Sequence, residues 1–301
     1  MNPYLAPATT FKNRGGWMHG IEANVWNEWY PVAVVEDVPR NSRQQTRLLG
    51  VDIEFSRDDG GAFSARRLDD GTPCHAVTRF HACWVSLGNP ADSFFAIGEF
   101  DEADRRILGL GSVQIHASGL RVVENFLDMA HFPYVHGGIL GEVPHTDVRP
   151  YRVVIDRDND ELLAEDCTFY QPMAGAAATG GIDAHYVYRV VRPFASILYK
   201  TSVADAGRRD VICLFVQPVS EDTCVGHFLI ACVDEDHTDS ELRLFQQTIV
   251  GQDLMILTNH LPRTLPLAAN FEVPTRADAM SAAYRRWLRD KKIRYGTYRV
   301  D

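Results

Sequence analysis

No run of this 301-residue chain approaches the roughly 18 apolar residues that a membrane-spanning helix needs. Its start, Met1-Asn2-Pro3-Tyr4, also lacks the charged-then-apolar order of a secretion signal. A cytoplasmic location is the expectation. Basic residues are the minority, 30 Lys and Arg against 40 Asp and Glu for a formal charge of −10, and no basic stripe is evident. That excludes a nucleic-acid-binding surface, which would have to neutralise phosphates. The six cysteines, Cys74, Cys83, Cys167, Cys213, Cys224 and Cys232, form no Cys-x2-Cys pair and no disulfide-framework spacing. They read as buried thiols of a reducing compartment. Cys74-His75 and His81-x-Cys83 match no zinc spacing. Repeats and low-complexity segments are absent as well. What is present is a 46% hydrophobic composition, enough for a well-buried core, and the acidic balance points to small-molecule chemistry or a protein partner.

Residues 1–25 read as an N-terminal arm, with Pro, Thr, Asn and a Gly-Gly pair and little periodicity. Over 26–100 the pattern is one of short apolar runs between turn residues. Trp29 to Val35, Arg47 to Phe55 and Cys83 to Leu87 are strand signals, and Asp58-Asp59-Gly60-Gly61 is a turn. Over 101–301 strong helices alternate with strands. Val122, Val123, Phe126, Leu127 and Ala130 fall at helical spacing and predict a helix over 119–137, stopped by Gly137-Gly138. Runs at 186–191, 211–216 and 227–233 suggest an antiparallel sheet with one face covered. A capping box, Thr238-x2-Glu241, opens a second helix that runs to about Asn259, and a third spans Arg276 to Lys291.

The densest signal is E-N-F-L-D-M-A-H-F-P-Y-V-H, in which Asn125, Asp128, His131 and His136 share one apolar segment. Neutral imidazole is the commonest protein metal ligand, and two of them with one carboxylate leave positions open on iron. His131 and His136 are five apart, about 140° round an ideal helix, so both cannot ligate from one unbroken helix. Pro133 is expected to bend the chain between them, with Gly137-Gly138 turning it just after. Asp253 is the one charged residue between Leu244 and Asn259, and an unpaired buried carboxylate is costly, so a metal ion is its expected partner. An Asp253 facing solvent and two satisfied core histidines are the plainer alternatives. Zinc hydrolases place histidines four apart around a glutamate base, and no base lies between His131 and His136.

This motif, with Q-D-L-M-I-L and the late A-D-A-M-S-A-A-Y-R-R-W-L-R, resembles the catalytic domain of Rieske non-haem iron oxygenases from about Trp26 to Leu288. The resemblance implies an α+β fold: a residual all-β, Rieske-like scaffold (26–100) and a helix-grip catalytic domain (101–301), an antiparallel sheet with helices packed against it. It implies Fe(II) held by His131, His136 and Asp253, with Asn125 near the metal and Asp128 carrying electrons into a histidine ligand. The paired motifs that hold a Rieske [2Fe–2S] cluster, Cys-x-His followed by Cys-x2-His, do not occur, so no intrinsic cluster is expected.

Within the family, the likeness is to cluster-less N-demethylase subunits acting on methylxanthines. That implies oxidative N-demethylation of a small aromatic or N-methyl heterocyclic substrate, with release of formaldehyde. Electrons would come from an external Rieske reductase, a small glutathione-transferase-like subunit would assist, and an oligomer is expected. A non-catalytic scaffold subunit, an O-demethylase or aromatic hydroxylase, and a ring-cleaving dioxygenase needing no external electrons are the alternatives.

Overall fold

In the computed structural model of the chain, residues 17–18, 20–91, 93–269 and 271–299 are described. The reading of 1–25 as an arm falls partly outside them. Where it can be compared it is corrected: β1 (Trp17–Met18) and β2 (Ile21–Glu22) pair antiparallel and lead into α1 (Ala23–Trp26). The Glu22 carboxylate accepts from the backbone N–H groups of Arg294 and Tyr295, which ties this segment to the far end of the chain.

The strands β3 (Tyr30–Val34), β4 (Arg43–Leu48), β5 (Val51–Arg57), β6 (Phe63–Arg67), β7 (His75–Arg79) and β8 (Ala82–Ser86) form two antiparallel sheets, ordered β3-β8-β7 and β4-β5-β6. The run Arg47 to Phe55, read as one strand, is instead a hairpin. Leu49 and Gly50 both take positive φ, 50° and 80°, so the chain reverses and Arg47 pairs with Asp52. That two-residue turn matches the twist of the flanking strands, and the apolar leucine at its first position masked it.

The central element is a seven-stranded antiparallel sheet. It takes in β9 (Arg106–Ile115) and, after α2 (Gly119–Leu127) and α3 (Phe132–Val135), β10 (Arg152–Asp156), β11 (Glu161–Gln171), β12 (Ile182–Arg192), β13 (Ala195–Thr201), β14 (Arg209–Pro218) and β15 (Cys224–Cys232). The order is β10-β11-β12-β13-β14-β15-β9, so the first strand of the sheet pairs with the last. Alternation is plain in β12 from Ala184 to Val190, where Ala184, Tyr186, Tyr188 and Val190 are buried and His185, Val187 and Arg189 between them are not. In β14 every residue from Val211 to Pro218 is buried. The expectation of one covered face is therefore corrected, because the centre of the sheet is covered on both. On one side lie the helices. On the other, Trp84 of β8 packs at a tilt against Phe215, 4.8 Å between ring centroids, and meets Phe94 and Phe95 edge-on at 5.1 and 5.8 Å.

The single helix expected over 119–137 is two. α2 starts where Gly119 lies against Phe194 and Val216, each of which would stand 2.8 Å from an added Cβ, and ends at Leu127. Thr238 caps α4 (Asp239–Leu257) through the expected capping box. After β16 (Leu265–Pro266), α5 (Ala279–Asp290) buries Met280, Tyr284, Trp287 and Leu288, and β17 (Thr297–Tyr298) pairs with β16. Arg121, 2% exposed, joins Glu124 and Glu272, and Arg285 of α5 binds the same two carboxylates. This buried network locks α2 to α5. Among the described residues no helix is long and apolar enough to cross a membrane.

Removing the indole of Trp84 by Trp84→Ala should cost about 3–5 kcal/mol, as for large core aromatics generally. Urea unfolding would measure it, and a loss under about 1 kcal/mol would show that this contact does not hold the β unit to the sheet.

Candidate metal centre

The site begins where α2 stops. Asp128 leaves the helix at φ −90° and ψ 125°, and its carboxylate immediately caps the turn it creates. Its Oδ1 accepts from the Ala130 N–H at 2.8 Å and its Oδ2 faces His131 Nδ1 at 3.0 Å. The bend between the histidines therefore lies upstream of Pro133, a correction to the expected role of that residue. Pro133 sits in the first turn of α3, where a missing N–H breaks no helical bond. His131 and His136 flank this one-turn helix as its N-cap and C-cap residues, and His136, at φ −111° and ψ 35°, has already left helical geometry. Gly141 presses on Pro133, whose nitrogen would lie 2.8 Å from an added Cβ, so a side chain there would push the turn away.

Thus two imidazoles five apart converge. His131 Nε2 and His136 Nε2 stand 3.1 Å from each other, and Asp253 Oδ1 lies 3.4 Å from the first and 3.2 Å from the second. Asp253 is turned inward on α4 together with Gln246, Ile249 and Val250, all four lining one pocket. The alternative in which it faces open solvent is not what the structure shows. Asn125, on α2, donates from Nδ2 to Asp253 Oδ1 at 3.1 Å. Every residue the sequence singled out is therefore brought to one point. One was missed: Gln252 Oε1 lies 2.8 Å from His136 Nδ1. The Q-D pair held the only signal, since adjacent helical positions can flank a ring that approaches between them.

These outer contacts fix the inner ones. A carboxylate and an amide oxygen can only accept, so each histidine Nδ1 carries a proton and each neutral ring presents a lone pair at Nε2. With both rings neutral, two lone pairs and a carboxylate would face one another with nothing but repulsion between them, so the cluster takes up a cation, either a proton on His131 or a metal ion. The donor set fits a divalent metal ion, and two His with one carboxylate suits iron with open positions. Cys224-x2-His227 is the one stretch that matches half of a Rieske ligand pair. It lies in β15 with both residues buried, and His227 is held between Ser112 and Gln217.

Burial opposes a charged His131, but its hydrogen bonds to Asp128 and Asp253 outweigh this and push the imidazole up to about 9. Burial likewise works against a charged Asp253, yet His131 and His136 hold it well below the usual carboxylate range. Above the site Phe126, Phe132, Leu140, Tyr186, Tyr188 and Phe228 make an apolar pocket that opens on His131, His136 and Asp253. Behind it, Asp128 and His131 also line a second, wider cleft shared with Arg121, Glu124, Glu272 and Arg285.

Comparison with known proteins agrees with this geometry. The family described as the vanillate O-demethylase oxygenase C-terminal domain matches residues 115–292. The chain is 46% identical over 282 residues, 94% of its length and 100% of the relative's, to the "Probable methylxanthine N7-demethylase NdmC" of Pseudomonas sp. (strain TJI-51). It is 24% identical to the methylxanthine N3-demethylase NdmB of Pseudomonas putida over 71% of this chain and 59% of that one. The solved structure of Pseudomonas putida CBB5 NdmA with caffeine superposes with a TM-score of 0.72 at 18% identity, covering 89% of this chain and 91% of that one.

In metal-free protein the raised His131 stabilises the fold fully below its unfolded value, near pH 6.5, and this contribution is lost as pH rises through about 9. The depressed Asp253 contributes above its ordinary range, near pH 4, and loses that contribution as pH falls. Imidazole NMR of the metal-free protein should give a His131 midpoint near 9 that drops toward the ordinary value in Asp253→Asn. An unchanged midpoint in that variant would show that Asp253 does not set it.

Proposed function

The chain belongs to the family of Rieske-type oxygenases that carry the vanillate O-demethylase oxygenase C-terminal domain, and from that premise we propose an iron-dependent N-demethylase of methylxanthines or related N-methyl heterocycles. The observation that carries this reading is the facing of His131 Nε2, His136 Nε2 and Asp253 Oδ1 at the floor of an apolar pocket. His131, His136 and Asp253 hold Fe(II). Bound there, the iron supplies the activation of dioxygen that oxidises an N-methyl carbon. In balance, the methyl carbon leaves as formaldehyde, the ring nitrogen gains a hydrogen, and two electrons with two protons take the other oxygen atom to water.

The chain's own residues bind and orient. Asn125 keeps the Asp253 oxygen aimed at the ion, while Gln252 and Asp128 hold both imidazoles in the tautomer that presents Nε2. Phe132, Tyr186, Tyr188 and Phe228 shape the slot for a flat ring and exclude water from it. The electrons come from a separate NAD(P)H-dependent Rieske reductase, because no cluster of this chain's own is expected. Its approach is the cleft on the far side of Asp128, where Ile256 and Val273 are exposed apolar residues beside the Arg121 network. Residues 26–100 serve as the retained scaffold and 101–301 as the catalytic domain. A glutathione-transferase-like subunit, an oligomeric assembly and a cytoplasmic location complete the proposal.

Purified protein should contain iron, and with reductase and NADH should release formaldehyde from 7-methylxanthine. Asp253→Ala should lose the iron. Stoichiometric zinc with no iron would sink the oxygenase reading. Asp128→Asn keeps the shape and can still accept from His131, so it should retain iron. Its reduction by the donor should slow on the order of 10- to 100-fold, the usual cost of altering a residue that orients a metal ligand. Normal reduction in a stopped-flow trace would remove Asp128 from the electron route.

A further inference from the structure

The sheet face that looks at α4 is built in cross-strand rungs. Tyr188, Leu198 and Ile212 stand side by side on β12, β13 and β14, and Tyr186, Lys200 and Asp210 form the next rung. All of these except Asp210 line the pocket over His131, His136 and Asp253. Lys200 is the one charged side chain the sheet presents there. It is only 5% exposed, and no hydrogen bond or ion pair joins it to a described residue. Its Nζ lies 5.8 Å from the centroid of the Tyr186 ring, and Asp210 acts on it only through space.

An amine taken out of water without a hydrogen-bond acceptor is costly, and a fold that only needed to fill this volume would do better with methionine or leucine. Burial pushes the Lys200 ammonium down to about 7, with Asp210 opposing the shift, which is what missing solvation does to a lysine. Lys200 borders both this pocket and a smaller cavity that it shares with Asp210, and a ligand in the pocket over the histidines would supply the acceptor that the fold leaves out. Phe126, Phe132, Tyr186, Tyr188 and Phe228 give the pocket aromatic walls that suit a flat ring, and Lys200 lines the same pocket.

We propose that Lys200 determines substrate specificity, donating from Nζ to a ring carbonyl oxygen, or to the anion of the same ring, and so selecting oxo-heterocycles over apolar rings of equal shape. This deepens the N-demethylation reading and rests on it. A site that keeps a buried donor for its substrate rejects the analogue lacking the acceptor, because the donor is then left unpaired.

The test uses iron-loaded wild-type protein and Lys200→Met, each titrated calorimetrically with 7-methylxanthine and with 7-methylpurine, which has the same ring frame and methyl group but no carbonyl oxygen. Wild type should prefer 7-methylxanthine by about 10- to 100-fold, the range of a hydrogen bond to a charged group. In Lys200→Met the preference should fall to within about threefold, through weaker binding of 7-methylxanthine alone. Iron content should not change, and the thermal midpoint should hold or rise. An unchanged preference, or equal weakening of both ligands, overturns the assignment. Should Lys200→Met fail to fold, Lys200→Gln, which keeps a donor, should retain part of the preference, and failure of both variants to fold makes Lys200 structural and overturns it too. Formaldehyde release by wild type with reductase and NADH separates the two claims. Turnover of 7-methylxanthine with a preference independent of Lys200 removes the lysine assignment alone. Lysine-dependent preference without turnover removes the N-demethylation reading alone, and absence of both binding and turnover removes both.

Discussion

His131 Nε2, His136 Nε2 and Asp253 Oδ1 lie within 3.1–3.4 Å of one another, and with both Nδ1 atoms committed to Asp128 and Gln252 all three are acceptors. Such a cluster cannot rest without positive charge among its members. In metal-free protein a proton on His131 supplies it, which is why that imidazole is pushed up to about 9 while Asp253 is held low. A divalent ion supplies the same charge with better geometry and displaces the proton. Both states need the two rings fixed from behind, so the outer contacts matter to the cluster as much as its own atoms do.

The rest of the fold serves that fixation. α2 is held at its start by Gly119 against Phe194 and Val216, and along its length by Arg121 and Glu124 in the network with Glu272 and Arg285. Its end is therefore placed firmly where Asp128 must stop the helix and present a carboxylate. α4 crosses the same face of the sheet and delivers Asn125's partner, Asp253, from a separate part of the chain. A shift of either helix would open the distances at the centre, and the buried ion pairs that resist such a shift lose several kcal/mol if one partner is left alone. The sheet is covered on its far face by Trp84 and its aromatic neighbours, so it forms a stiff floor.

Much of this was legible in the residues. The three converging groups and Asn125 and Asp128 could be picked out because each breaks an otherwise apolar pattern, and the capping box at Thr238 fixed the start of α4. Local chain geometry was less legible. Pro133 points in sequence to the bend, but proline is tolerated in a first helical turn, and the break belongs to Asp128, whose side chain bonds the backbone two residues on. The reversal at Leu49-Gly50 was hidden because apolar residues run through it, so periodicity alone saw one strand. Gln252 and Lys200 were missed for another reason. Neither is unusual where it stands in sequence, and only the crossing of α4 over the sheet shows that one faces an imidazole and the other a pocket.

The two openings onto the site differ in character, and the difference constrains what each can admit. The cleft beside Asp128 is walled by Arg121, Glu124, Glu272 and Arg285, whose charges already satisfy one another, so a small neutral ring would gain little there while disturbing a closed network. In the pocket on the other side the sheet contributes apolar and aromatic side chains and one charged one, Lys200, which has no hydrogen-bond partner among the described residues. Under the proposed reading, a flat substrate would be stabilised on that side by burial and by the lysine together. His131 and Asn125 are common to both walls, and of the remaining three Asp128 belongs to the cleft and His136 and Asp253 to the pocket. Under the proposed reading, a partner protein and a substrate can therefore reach the same histidine from opposite sides without competing for space. A chain that takes its electrons from outside needs that separation, since the donor must be able to dock while the pocket is filled.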